Sequence, residues 1–197
     1  MKKGKLVKIE IPNNCQDSET LSAEFIGCGQ FAMCYRVGES VYAYVQDAGE
    51  QKKSDLSKEA VALYTDKSNR HIPEIDVVGD YEKSWNNYGL VYRMPFYTML
   101  DSSYADAWKQ FRILEDIRSN RINELRKSSA YEVNESILAD AEESDLPESI
   151  VSALRSIHEA CSNYSQSYLF EFAKRNLAVH EDGTLILLDV IFNADAI

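Results

Sequence analysis

The stretch from Phe170 to Phe192, FEFAKRNLAVHEDGTLILLDVIF, decides how the rest of the chain is read. It reads as a loop carrying Glu171 and Asn176, then two short apolar strands, Leu177 to Val179 and Thr184 to Leu188, around a turn at Glu181-Asp182-Gly183. Asp-Gly between two apolar runs is a hairpin signal, because glycine supplies the positive φ that a tight turn requires. The hairpin sets Asn176 against Asp189, which follows the second strand. A neutral amide and a carboxylate fixed at the two ends of a hairpin are the oxygen donors that hold Mg²⁺ against phosphate groups.

Upstream, AEFIGCGQFAMCYRVGESVYAYVQD, beginning at Ala23, predicts strands at Phe25-Ile26, Met33 to Val37 and Val41 to Val45, with turns at Gly27-Cys28-Gly29 and Gly38-Glu39-Ser40. A single GxG in such a stretch is equally the mark of a hairpin with a bulge. Ser54 to Tyr64 predicts a helix with Leu56, Ala60 and Leu63 on one face. Further strands are expected at Ile75 to Val78 and at Leu90 to Met94, the second ended by Pro95, which has no ladder donor. From Asp101 the pattern is helical. Trp108, Phe111, Leu114 and Ile117 mark an amphipathic helix to about Leu125, with Trp108 and Phe111 in the core. A polar, acidic connection with Glu142, Glu143 and Asp145 follows, and Asp145-x-x-Glu148 reads as the capping box of a last helix. Its apolar stripe is Ile150, Leu154, Ile157 and Cys161.

Glu171-x4-Asn176, with Asp189 thirteen residues further on, resembles the catalytic loop and metal-binding aspartate of the protein kinase fold. More narrowly, the chain is similar to small kinase-like proteins encoded by bacteriophages. The resemblance implies an α+β, bilobal fold. Residues 1–95 would form a small antiparallel β lobe with one helix, and 96–197 a truncated, mostly helical lobe ending soon after Asp189. It further implies that Gly27 and Gly29 let backbone amides approach phosphates while Phe31 covers them. Arg93-Met94-Pro95-Phe96 would be the hinge, with Met94 at the adenine and Phe25, Ala43 and Leu177 as apolar walls. Asn176 and Asp189 would hold the metal.

The departures from the family pattern matter as much. Glu171 stands where the family has an aspartate base, and the DFG signature is reduced to Asp189-Val190-Ile191. Tyr44 holds the place of the phosphate-binding lysine, and a neutral phenol cannot replace an ammonium. Glu59, the carboxylate that would pair with that lysine, loses its partner. Arg36, Lys52 and Lys53 are the nearby cations that would have to substitute.

Composition bounds the readings. With 197 residues and 45% hydrophobic content, the chain suits one core-bearing domain or two small lobes. The net charge of −11, from 21 Lys and Arg against 32 Asp and Glu, argues against a nucleic-acid-binding surface. The four cysteines form no CxxC pair, which points to reduced thiols. The apolar run in MKKGKLVKIEI is too short for a signal peptide, and no stretch approaches the roughly 20 apolar residues of a membrane helix. A cytoplasmic protein is expected, in the host cytoplasm if phage-encoded.

Three functions are consistent with these features. The first is a pseudokinase-like phage protein that acts by binding a host or phage protein and retains ATP and Mg²⁺. The second is an active ATP-dependent protein phosphotransferase with Glu171 as base and Lys174 or Arg175 steadying the γ-phosphate. The third is an acidic DNA-mimic inhibitor. Twelve tyrosines leave a homodimer open.

Overall fold

The computed structural model describes residues 6–11, 19–28, 32–46, 67–84, 87–163 and 167–193. The structure is mixed α+β and divides into two units, Met1–Ala62 with Glu74–Phe96, and Leu63–Pro73 with Tyr97–Ile197.

The first unit is an antiparallel sheet of six strands, β1 (Leu6–Ile11), β2 (Glu19–Cys28), β3 (Ala32–Val37), β4 (Ser40–Gln46), β5 (Asp76–Ser84) and β6 (Asn87–Pro95). They lie in the order β1-β2-β3-β4-β6-β5. The strand expected at Phe25-Ile26 is longer than its apolar residues indicate. It starts at Glu19 because β1 pairs with it from Ile11↔Glu19 to Leu6↔Glu24. The turn between β3 and β4 is two residues, Gly38-Glu39, with Gly38 at φ 60°, the left-handed region where glycine carries no steric cost. Ile9, Ile11, Ala23, Tyr44 and Val91 form the buried core, with Tyr35 and Val37 packed on it. The helix expected over Ser54 to Tyr64 lies outside the described residues.

In the second unit, β7 (Thr98–Met99) leads to three helices among the described residues, α1 (Ala105–Arg121), α2 (Ala130–Glu142) and α3 (Glu148–Ser162). Four short strands follow, β8 (Tyr168–Phe170), β9 (Leu177–Val179), β10 (Leu185–Leu187) and β11 (Ile191–Asn193). α1 ends in a 3-10 turn over Ile122–Arg126, near the predicted limit. The apolar stripe of α3 is buried as its spacing predicts, with Ile150, Leu154 and Ile157 fully inaccessible and Cys161 nearly so. Burial pushes the Cys161 thiol up to about 12, so it packs as a small apolar side chain.

Three expectations are corrected here. The acidic connection after α1 contains the helix α2, whose Ala130, Val133, Ile137, Leu138 and Ala141 are buried. Glu142, Glu143 and Asp145 are exposed at and just beyond the C-terminal end of this helix, so the acidic connection is shorter than expected. The capping box belongs to this helix. The Ser129 hydroxyl accepts from the Glu132 N–H at 3.2 Å, and the Glu132 carboxylate accepts from the Ser129 N–H at 2.8 Å. Asp145-x-x-Glu148 forms no such box, because Pro147 occupies the N-cap of α3 and no side chain caps it. Finally, Phe111 is core, but Trp108 is only half-buried, its ring edge-on to Phe111 at 5.2 Å.

Residues 67–73 belong to the second unit, and His71 shows how they are tied there. Its buried imidazole places Nδ1 2.7 Å from the Leu185 carbonyl and Nε2 2.9 Å from the Ser149 hydroxyl. The His71 carbonyl accepts from the Leu187 N–H at 2.9 Å, so the segment lies against β10. Burial lowers the His71 pKa and keeps the ring neutral, a state in which Nδ1–H donates to the carbonyl and Nε2 accepts from the hydroxyl.

Candidate functional site

Two antiparallel ladders frame the Glu171 loop. β8 pairs with β11, Phe170 opposite Ile191, and so joins the strand that enters the loop to the one that leaves Asp189. β9 pairs with β10, Leu177 opposite Leu187, and joins the residue after Asn176 to a residue just before Asp189. The turn between β9 and β10 runs through Gly183 at φ 87°. The Asp182 side chain accepts from the Thr184 N–H at 2.9 Å, and hydrogen bonds from Thr184 hold its carboxyl at about 2.

Between the ladders, backbone bonds fix the three predicted residues. The Glu171 N–H donates to the Val190 carbonyl at 2.7 Å. The Asn176 carbonyl accepts from two successive amides, Leu188 at 3.1 Å and Asp189 at 3.0 Å. Main-chain bonds therefore bring Asn176 beside Asp189, and the Asn176 amide, which donates to the Glu171 carboxylate, ties Glu171 to them.

The far edge of β8 is held by side chains that the sequence reading missed. Asn134 of α2 is 3% exposed. Its amide donates to the Tyr168 carbonyl at 2.6 Å and accepts from the Phe170 N–H at 3.1 Å, completing the edge as another strand would. Arg118 of α1 donates to the Phe170 carbonyl at 2.8 Å. A polar residue inside the stripe Ala130, Val133, Ile137, Leu138 is the signal in the sequence, masked by the acidic residues around it. Phe172 is buried and stacks on Phe170 at 5.4 Å, anchoring the loop from within.

The polar side chains are arranged as follows. One Glu171 oxygen accepts from Arg175 at 2.6 Å and the other from the Asn176 amide nitrogen at 3.0 Å. Asn176 is buried, and both hydrogen bonds of its side chain among the described residues are made by its amide nitrogen, none by Oδ1. Asp189 is half-buried. Lys174 turns its ammonium over the Trp108 ring at 5.5 Å, and its charge lies near Asp101, whose carboxyl is lowered chiefly by hydrogen bonds from Ser103.

Apart from Leu177, which lies on β9 in the second unit, the residues expected to line the phosphate and adenine subsites fall in the first unit. Gly27 lies within β2 opposite Cys34, with a register shift between Phe25 and Gly27, and a Cβ there would meet nothing within 4 Å. Among the described residues no contact demands a glycine at that position. The Tyr44 hydroxyl donates to the Glu10 carbonyl at 2.5 Å, and its ring meets Tyr35 edge-on at 5.5 Å. Met94 pairs with Val41, while the pairing of β6 with β5 stops at Arg93. The Arg36 guanidinium, a candidate substitute for the missing lysine, donates to the Gly38 carbonyl at 2.8 Å and stacks over Phe96 at 3.8 Å. Phe25 is exposed, whereas Ala43 and Leu177 are buried. Gly29, Phe31, Lys52, Lys53 and Glu59 lie outside the described residues.

Mg²⁺ binds through one or two protein oxygens and completes its octahedron with water and phosphate oxygens. Asn176 Oδ1, which accepts no hydrogen bond among the described residues, and the Asp189 carboxylate are oxygens of that kind. Among the described residues no group of three or more His, Cys, Asp or Glu side chains could hold a metal by itself, so an ion here would draw its remaining ligands from water or phosphate oxygens. No helix among these residues is long and apolar enough to cross a membrane. No protein-family model matches the chain, and no curated protein matches it.

Proposed function

We propose that this chain is a kinase-fold protein of the pseudokinase kind, similar to those of bacteriophages, which acts chiefly by binding a host or phage protein and keeps a site for Mg²⁺ and ATP at Asn176 and Asp189. The observation that carries this reading is the double acceptance by the Asn176 carbonyl of the Leu188 and Asp189 amides. It brings the backbones of Asn176 and Asp189 side by side, which supports a reading in which their side-chain oxygens together hold Mg²⁺.

The phosphotransferase reading ranks below it. A general base must be free to take a proton, and both Glu171 oxygens are already engaged, by Arg175 and by Asn176. Lys174 sits over Trp108 near Asp101, so steadying a γ-phosphate would require it to leave that ring. Phosphoryl transfer depends on positioned charge, and removing one such group typically costs about 2.7–4 kcal/mol of barrier.

Calorimetric titration with ATP in the presence and absence of Mg²⁺ tests the proposal. Binding that requires the metal and is lost in both Asn176→Ala and Asp189→Ala supports it. Absence of binding in the unaltered protein, or binding indifferent to both substitutions, refutes the nucleotide site.

A further inference from the structure

β1 is an outer strand of the six-stranded sheet, and among the described residues it pairs with β2 alone. Its ladder runs from Leu6 to Ile11 without a bulge. The opposite outer strand, β5, breaks its ladder twice, between Val77 and Gly79 and between Glu82 and Ser84. Bulges are one way in which a sheet keeps its edge from pairing with another chain, and β1 lacks that protection. The Tyr44 hydroxyl takes up one β1 carbonyl, that of Glu10, and along its outer side β1 meets no described strand.

The residues along β1 are self-complementary. Val7, Ile9 and Ile11 share one face of the strand and belong to the apolar core of the sheet. Lys8 and Glu10 lie on the other face and are exposed. Across the ladder their neighbours on β2 are the uncharged Ser22 and Thr20. An antiparallel second copy centred on Ile9 sets Lys8 of each chain opposite Glu10 of the other, and Val7 opposite Ile11. A copy displaced by two residues brings Lys8 against Lys8 or Glu10 against Glu10, so charge selects the register centred on Ile9. A two-fold axis at Ile9 satisfies both charge pairs at once, as an interface between identical surfaces requires.

We propose that β1 is a homodimer interface, at which two copies of this chain join their sheets through antiparallel β1 strands, with a Lys8–Glu10 pair on either side of Ile9. The inference stands apart from the nucleotide site and from the reading of a host or phage partner.

Sedimentation velocity of the full chain across a dilution series tests it. The expected result is a reversible equilibrium between monomer and dimer. Lys8→Glu and Glu10→Lys should each weaken self-association about tenfold or more, because both cross-strand pairs become like-charged. The two substitutions change the net charge in opposite directions, so weakening in both is not an effect of overall repulsion. Mixing the two single variants should restore the dimer, since every cross-strand pair is again of opposite sign, and so should both substitutions together in one chain. Circular dichroism confirms that the variants are folded. The proposal is overturned by a monomer at every concentration, which would leave the edge to a strand of another protein. It is equally overturned by a dimer that neither single variant weakens, or by a mixture and a double variant that associate no better than the single ones.

Discussion

The two regions expected to share a nucleotide site are built on different principles. Around Glu171, Asn176 and Asp189, ladders and buried side chains fix the backbone, and Asn176 Oδ1 accepts no hydrogen bond among the described residues. Around Gly27, Tyr44 and Met94 the sheet uses its polar groups internally, with the Tyr44 phenol on Glu10 and Arg36 on its own turn. A phosphate-binding surface needs uncommitted donors and positive charge. The comparison teaches that the hairpin region fixes its backbone without using Asn176 Oδ1 among the described residues, whereas in the sheet the Tyr44 phenol and the Arg36 guanidinium are engaged by backbone carbonyls.

The sharpest way to break the contrast is to remove what holds the hairpin region. Leu154→Ala empties a fully buried position and should cost about 2–5 kcal/mol in chemical denaturation. Asn134→Ala should follow closely. It strands the Tyr168 carbonyl and the Phe170 N–H, at about 1–3 kcal/mol for each buried group left unpaired. A loss as small as that of a surface substitution would show that Asn134 does not clamp β8. The matching test of the sheet is Tyr44→Phe, which deletes one hydrogen bond and should cost about 0.5–1.5 kcal/mol.

Acidification probes the second unit selectively. His71 and His158 both have folded pKa values below 6.5, because burial disfavours their charged forms. Between the folded and unfolded values the unfolded chain binds more protons, so the stability these residues contribute is present above pH 6.5 and is lost as pH falls through the folded values. Denaturation midpoints should drop as pH is lowered below 6.5, and His71→Gln should flatten that dependence. A midpoint insensitive to pH across this window would contradict the burial of both rings.

The smallest effect belongs to Glu171→Gln. Its partner Arg175 is 72% exposed, so the ion pair should contribute only about 0–1 kcal/mol. A larger loss would make Glu171 structural, and the site less free than its geometry indicates.

The sequence alone was sufficient wherever spacing and local chemistry decide conformation. The Asp182-Gly183 turn, the strands beside it, the α3 stripe and the apposition of Asn176 with Asp189 follow from positive-φ glycine and from periods of two and 3.6 residues. Tertiary structure decided what depends on distant partners. β2 reaches back to Glu19 because β1 lies beside it, residues 67–73 join the second unit because His71 docks on β10, and Asn134 is buried because β8 has an open edge to fill. The helix α2 was hidden by its acidic outer face, although its capping box and apolar stripe were in the sequence. A polar residue's role depends on which backbone group is left without a partner, and only the assembled fold determines that.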